Sequence, residues 1–180
     1  MPKNRLCMFA FIAVIAVTTT AIAQEKKPAS PPAQTKLTFA DGKTASIDYS
    51  APSMRGRKIF GGLVPYDKVW RTGANAATSL KTDVDLVIGG TTVPAGSYTL
   101  YILPVESGAW KLIISKKTGQ WGIPYPGAAD DLARIDMKTA KTPATVQQFT
   151  ISFDKRGPNS AVMKFDWENT SASVELTEAN

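Results

Sequence analysis

The chain of 180 residues contains no histidine. This absence excludes Ser-His-Asp and Cys-His catalysis, removes the usual zinc ligand, and leaves no ordinary general base with a pKa near neutrality. Any catalysis would therefore have to use carboxylate, lysine, tyrosine or serine chemistry. No segment has the spacing of a calcium-binding EF-hand or of a phosphate-binding P-loop. We therefore predict no metal site and no cofactor.

Cysteine is nearly absent as well, because Cys7 is the only one in the chain. It lies inside an apolar N-terminal segment, too early to be a lipid-attachment cysteine at a cleavage site. The rest of the chain can form no disulfide, thiolate metal site or cysteine nucleophile. A domain of about 145 residues can hold its core without crosslinks, because it buries roughly two thirds of the surface that its unfolded chain exposes.

The first residues have the pattern of a secretory signal peptide. Lys3 and Arg5 precede an almost wholly apolar run from Leu6 to Val17, and Ala21-Ile22-Ala23 is a small-x-small cleavage site. The apolar run is shorter than the roughly twenty residues that a membrane-spanning helix needs. We therefore predict a signal peptide over residues 1–23, cleaved after Ala23, no membrane insertion after its removal, and a periplasmic or secreted protein.

The chain carries a modest positive charge. The formal net charge is +6, and it falls by two when Lys3 and Arg5 leave with the signal. So modest a charge is not typical of a nucleic-acid-binding protein, so we predict no nucleic-acid partner.

Residues 24–34, QEKKPASPPAQ, are rich in proline, lysine and small side chains. Such a segment buries too little apolar area to order itself, so we predict a flexible linker there and a single domain over residues 35–180.

The domain repeats the two-residue period of half-buried strands. Asp41-Gly42 is typical of a tight hairpin turn, so we predict two such strands joined by a two-residue turn. Only Gly127 to Leu132 could hold one helical turn. The pattern predicts an all-β fold, an antiparallel β-sandwich that is jelly-roll-like or barrel-like. The alternating apolar residues are Leu37, Phe39, Ala45, Ile47, Tyr49, Val84, Leu86, Ile88, Tyr98, Leu100, Ile102, Trp110, Leu112, Ile114, Phe149, Ile151, Phe153, Met163, Phe165, Trp167, Val174 and Leu176.

One stretch, from Ser50 to Asn75, breaks this alternation. Pro52 and Pro65 restrict the backbone, while Gly56 and Gly61-Gly62 allow angles closed to other residues, so we predict one long ordered loop. Cationic and aromatic side chains are concentrated on it: Arg55, Arg57, Lys58, Lys68, Arg71, Phe60, Tyr66 and Trp70.

The same stretch resembles the bacterial exported family called domain of unknown function 2911, and the likeness runs from about Thr35 to the C-terminus. The segment "VPAGSYTLYILP" and the pair Trp121-Gly122 extend it. The resemblance implies a domain but no activity. The matching residues are Tyr49, Ser50, Pro52, Gly56, Arg57, Phe60, Gly61, Leu63, Val64, Pro65, Trp70, Arg71, Gly73, Ala74 and Asn75.

Five loop residues are candidates for binding a ligand: Arg57, Tyr66, Trp70, Arg71 and Asn75. The guanidinium groups suit a carboxylate, phosphate or sugar hydroxyl, and the aromatic rings offer faces for a sugar or a cation. A structural alternative remains open. Under it, Trp70 plugs one end of the sandwich, Arg71 pairs with a buried carboxylate such as Asp48, and Asn75 satisfies the backbone of its own turn.

These residues support three hypotheses about function. The first is an exported binding module for an anionic or carbohydrate ligand at the cell envelope. The second is a histidine-free hydrolase or lyase that uses a carboxylate, Asp48 or Asp67, with an arginine holding the substrate. The third is a purely structural envelope protein.

Other carboxylates are weaker candidates. Asp83 and Asp85 are two apart, so on a strand they would share a face and could hold a calcium ion, although a solvated strand edge is the more common arrangement. Asp166 and Glu168 alternate with the apolar face of their strand, so we expect both to be exposed.

Overall fold

The computed structural model describes residues 29–179, so the predicted signal peptide and the first residues of the predicted linker lie outside the described residues. Within this range the only helical element is one 3-10 turn, Ala128–Asp130, where the sequence allowed a single turn. None of the helical structure in this range could cross a membrane. The nine strands are β1 Pro32–Thr38, β2 Thr44–Ser50, β3 Ser79–Thr82, β4 Leu86–Ile88, β5 Thr91–Val93, β6 Gly96–Leu103, β7 Trp110–Ser115, β8 Asp131–Gly157 and β9 Ser160–Glu178.

All nine strands belong to one antiparallel sheet with the order β1-β2-β3-β6-β7-β8-β9-β4-β5. The predicted all-β, antiparallel fold is confirmed. In the described residues the end strands β1 and β5 do not pair with each other, so the sheet is not closed and the barrel-like variant of the prediction is wrong. Strand β8 holds the sheet together, because residues 131–137 pair with β7 and residues 138–157 pair with β9.

The two halves of the sheet share one hydrophobic core. Ile47 on β2, Leu100 on β6 and Phe165 on β9 all belong to it and are almost completely buried. Because side chains alternate across a strand, the residues between these core positions face outward. The apolar residues that alternate along the sequence are therefore the residues that face the core.

The first hairpin differs in two details from its prediction. Its turn is wider than two residues, because the Phe39 amide donates to the Lys43 carbonyl at 3.0 Å before β2 begins. The first strand also begins earlier than the predicted domain boundary, since Pro32 to Gln34 pair with Asp48 to Ser50. A proline at the start of an edge strand removes no ladder hydrogen bond, so the proline-rich composition does not prevent pairing there.

A second, smaller apolar cluster lies on the outer face of β6 and β7. Tyr101 and Ile113 are fully buried but do not belong to the main core, because they alternate with its residues. Residues 116–130, which we call the outer loop, cover them. Tyr125 of this loop packs edge-on against Tyr101, with ring centroids 5.1 Å apart.

Candidate functional site

The long loop, residues 51–78, is tied to the sheet at both ends. Trp70 and Ile102 of β6 exchange two backbone hydrogen bonds, at 2.8 and 2.9 Å. At the other end, the Phe149 amide of β8 donates to the Pro52 carbonyl at 2.9 Å. Backbone bonds of this kind fix the path of a segment that forms no continuous strand. The loop is therefore ordered, as predicted.

Glu168 of β9 holds the middle of the long loop. Its carboxylate accepts hydrogen bonds from the consecutive amides of Ile59 and Phe60, at 3.3 and 3.5 Å. The expected exposure of Glu168 is wrong, and so is that of Asp166, because both are half-buried. The pairing of β8 with β9 shifts register around Glu168, whose φ is 55°, so the simple alternation does not continue through it.

Trp70 packs into a cluster of aromatic rings. It stacks on Trp167 of β9 with centroids 5.7 Å apart and an interplanar angle of 21°. The edges of Phe60 and Phe149 complete the cluster, at 6.2 and 4.9 Å. The Trp70 indole donates to the Gly73 carbonyl at 3.2 Å. These contacts give Trp70 the packing role that the structural alternative assigned to it.

A cavity of about 340 Å³ lies beside this cluster, between the long loop and the outer loop. It brings together three of the five predicted site residues, Arg57, Trp70 and Arg71. Among the described residues that line it, none carries a carboxylate. The lining residues are Ser30, Pro52, Arg57, Leu63, Val64, Trp70, Arg71, Gly73, Ala74, Ile123 and Trp167.

Arg57 is held in this cavity by main-chain oxygens. Its Nε donates to the Met54 carbonyl and its Nη2 to the Ser53 carbonyl, both at 2.9 Å. A guanidinium group has five N–H donors, so these two bonds fix its plane and leave others free. Carbonyls carry no net charge, and Arg57 forms no ion pair with any residue in the described range. Its positive charge is thus positioned without being neutralised.

Arg71 is held by the outer loop. Its Nη1 donates to the Trp121 carbonyl at 3.4 Å, and its guanidinium carbon lies 5.7 Å from the centroid of the Trp121 ring. Partial burial lowers the pKa of Arg71 below its ordinary value, yet arginine remains charged at neutral pH. The suggested pairing with Asp48 is wrong, because Asp48 is exposed and accepts from Gln34 Nε2 at 2.6 Å.

The rim of the cavity is apolar. Leu63, Trp121 and Ile123 are 46%, 60% and 63% exposed, and within residues 29–179 they are the large hydrophobic side chains that remain exposed. Leu63 and Ile123 line the cavity, and Trp121 covers Arg71. A single exposed apolar residue needs no explanation, but here two of them, Leu63 and Ile123, line the same cavity.

Tyr66 and Asn75 are not part of this cavity. Tyr66 packs against Gly61 and lines a separate hollow of about 350 Å³ with Glu106 and Trp110. Asn75 has a φ of 56°, and its Nδ2 donates to the Ser30 carbonyl and the Ser50 hydroxyl, both at 3.3 Å. Asn75 therefore ties the long loop to the chain on either side of the first hairpin.

Asp83 and Asp85 are both used as hydrogen-bond acceptors within the fold. Asp83 and Asp85 lie in a bend between β3 and β4, so their expected placement on a strand is wrong. Asp83 accepts from the hydroxyl and amide of Thr44 at 2.8 and 3.2 Å, which lowers the pKa of Asp83, and Asp85 accepts from the Ala95 amide at 2.7 Å. Between residues 29 and 179 no three acidic, cysteine or histidine residues cluster as a metal site.

A polar cluster that the sequence did not reveal lies where the outer loop meets β8. The Tyr125 hydroxyl donates to Asp131, and Arg134 donates to Asp131 from Nε at 2.7 Å and to the Tyr125 hydroxyl from Nη2 at 2.9 Å. Burial, together with the hydrogen bond to Asp131, raises the pKa of Tyr125 to about 12. This cluster fastens the outer loop that forms one wall of the cavity.

Sequence reasoning also missed one buried residue that lines the cavity, Trp167. The sequence pattern predicts only that Trp167 is an inward-facing residue of a strand. In the structure its side chain is 1% exposed. Nothing in the local pattern distinguishes it from Phe165 two residues earlier. Its place beside Arg57 and Arg71 follows from the pairing of β9 and the path of the long loop, which are non-local.

Comparison with known proteins gives a family without an assigned activity. The model of one family, described as "Protein of unknown function (DUF2911)", matches residues 30–176. No curated protein and no solved structure matches the chain.

Proposed function

Because the chain belongs to the DUF2911 family of proteins of unknown function, its role must be inferred from its own site, and we propose that it is an exported binding module for a small anionic ligand at the cell envelope. Export rests on the signal-like pattern of residues 1–23. Ligand binding rests on the cavity between the long loop and the outer loop.

The observation that carries the proposal is the pair of guanidinium groups in one cavity. Arg57 and Arg71 both line it, each is oriented by main-chain carbonyls, and no described lining residue supplies a negative charge. An anion entering the cavity would gain charge-assisted hydrogen bonds, which are stronger than neutral ones. Because the donors are already oriented, little side-chain entropy is lost on binding.

A neutral carbohydrate has less support than an anion. Stacking on a sugar needs a free aromatic face, but one face of Trp70 is taken by Trp167 and Trp121 is already in contact with Arg71. The guanidinium groups of Arg57 and Arg71, by contrast, form no ion pair with any residue between 29 and 179. We therefore place anionic ligands, including acidic sugars and sugar phosphates, ahead of neutral glycans.

The hydrolase or lyase hypothesis has less support from the geometry. Asp48 and Asp67, its candidate carboxylates, do not line the cavity that contains Arg57 and Arg71. A carboxylate must come within hydrogen-bond reach of the group from which it takes a proton. The packing of Trp70 supports a structural role for that residue, but it does not explain two oriented and unpaired arginines.

The test is binding of small anions by isothermal titration calorimetry. The panel should contain inorganic phosphate, sugar phosphates, short carboxylates and anionic peptidoglycan fragments. A hydrogen bond to a charged group contributes about 1.5–3 kcal/mol, so Arg57→Gln and Arg71→Gln should each weaken binding about 10- to 100-fold. Arg55→Gln is the matched control, because Arg55 is exposed on the same loop and does not line the cavity.

Two results would contradict the proposal. One is the absence of binding by any anion in the panel to the wild-type protein. The other is binding that Arg57→Gln and Arg71→Gln leave at the wild-type affinity, or that Arg55→Gln weakens as much as they do. In either case the guanidinium pair is not a binding site.

A further inference from the structure

We infer that the ligand of this cavity is amphipathic, with a carboxylate or phosphate head at Arg57 and Arg71 and an acyl or aryl body on the apolar rim. This inference rests on the proposed function and specifies its ligand class. It depends on three features of the cavity: the pair of guanidinium groups, an apolar rim and a small volume.

The apolar rim is formed by Leu63 on the long loop and Ile123 on the outer loop. Both side chains line the cavity and remain largely exposed in the protein alone. A purely ionic ligand such as phosphate would leave them in water. A ligand with an apolar body would cover them, and removing apolar surface from water favours binding.

Size limits the ligand further. The cavity volume of about 340 Å³ is near the lower end of the roughly 300–1,000 Å³ typical of small-molecule sites. A short acyl chain or one aromatic ring attached to the anionic head fits that volume. The cationic side and the apolar rim together therefore define a small amphipathic anion.

The experiment compares matched pairs of ligands that share a head group. Octanoate is compared with acetate, and phenyl phosphate with inorganic phosphate, by calorimetry and by the change in tryptophan fluorescence. Each buried CH₂ group contributes about a fourfold gain in affinity, so even partial burial of the chain should make octanoate bind at least about tenfold more tightly than acetate. The double variant Leu63→Ser/Ile123→Ser should abolish this preference, because it removes the apolar surface that the octanoate chain would cover.

The outcomes separate this inference from the proposed function. If acetate and octanoate bind equally and both depend on Arg57 and Arg71, the anion site stands and the amphipathic ligand is wrong. If no anion binds, both the proposed function and this inference fail.

Discussion

Gly122 is the residue at which the contact between the outer loop and the long loop can be broken most directly. It is buried, and its φ is +86°. A Cβ atom at this position would lie 2.9 Å from the Cβ of Ala77 and 3.1 Å from the Cβ of Arg71. We therefore expect Gly122→Ala to push the outer loop away from Ala77 and Arg71 of the long loop.

The magnitude follows from two separate costs. An alanine in the left-handed region costs about 1–2 kcal/mol relative to its preferred conformations. Inserting a methyl group into closely packed surroundings costs about 1–3 kcal/mol more. Gly119 offers a matched control, because its φ is also positive, +71°, but a Cβ there would meet no atom within 4 Å. Gly119→Ala should therefore show the conformational cost alone.

Urea unfolding of the wild type, Gly119→Ala and Gly122→Ala measures both costs. We expect Gly122→Ala to be less stable than Gly119→Ala by about 1–3 kcal/mol. In a domain of this size each kcal/mol corresponds to a melting-temperature difference of about 2–4 °C. Limited proteolysis should also cut the outer loop faster in Gly122→Ala, and anions should bind this variant more weakly because Arg71 loses its support.

Equal stability of the two alanine variants would refute this reasoning. It would mean that residues 121–123 do not pack against Ala77 and Arg71 as the structure has them. The wall that Ile123 adds to the cavity would then not be fixed, and the argument from oriented guanidinium groups would lose its support at Arg71.

Two further predictions concern stability. Glu168→Ala removes the acceptor of two hydrogen bonds from amides of the long loop, so it should lower the free energy of unfolding in urea by about 1.5–3 kcal/mol. Glu106→Ala is the control, because Glu106 is exposed and its removal should have little effect. Equal effects of the two changes would show that Glu168 does not hold the loop. Tyr125 has a folded-state pKa of about 12 against an ordinary value near 10, so its contribution to stability is complete below pH 10 and is lost as the pH rises toward 12. The slope of stability against pH in that window should be shallower in Tyr125→Phe, and an unchanged slope would contradict the assignment.

Local patterns predicted most of the sheet, because the two-residue alternation depends only on which side of a strand faces the core. The positions of Ile47, Leu100 and Phe165 follow from it directly. Pairings between distant segments were not predictable in this way. Two examples are the pairing of β4 with β9 and the pairing of β8 with both β7 and β9. Neither leaves a signal within any short window of sequence.

For the candidate site, the sequence predicted which residues line the cavity only in part, and it did not predict what holds them in place. Composition pointed to Arg57, Trp70 and Arg71, which do meet at one cavity. It could not identify their supports, because Arg57 is held by main-chain oxygens and Arg71 by a loop fifty residues away. Tyr66 shares the composition of the loop but packs on the far side of Gly61, which only the backbone path decides.

The pairing of β4 with β9 determines when this molecule can finish folding. Residues 86–88 pair with residues 91–93 of the neighbouring strand on one side, and on the other side they pair with residues 176–178, about ninety residues further along the chain. Closing so long a loop is entropically costly and occurs late, so proteins dominated by such distant pairings fold slowly. A nascent or refolding chain would thus keep one edge of β4 unpaired until residues 176–178 arrive, and deletion of these residues should trap it in an aggregation-prone intermediate.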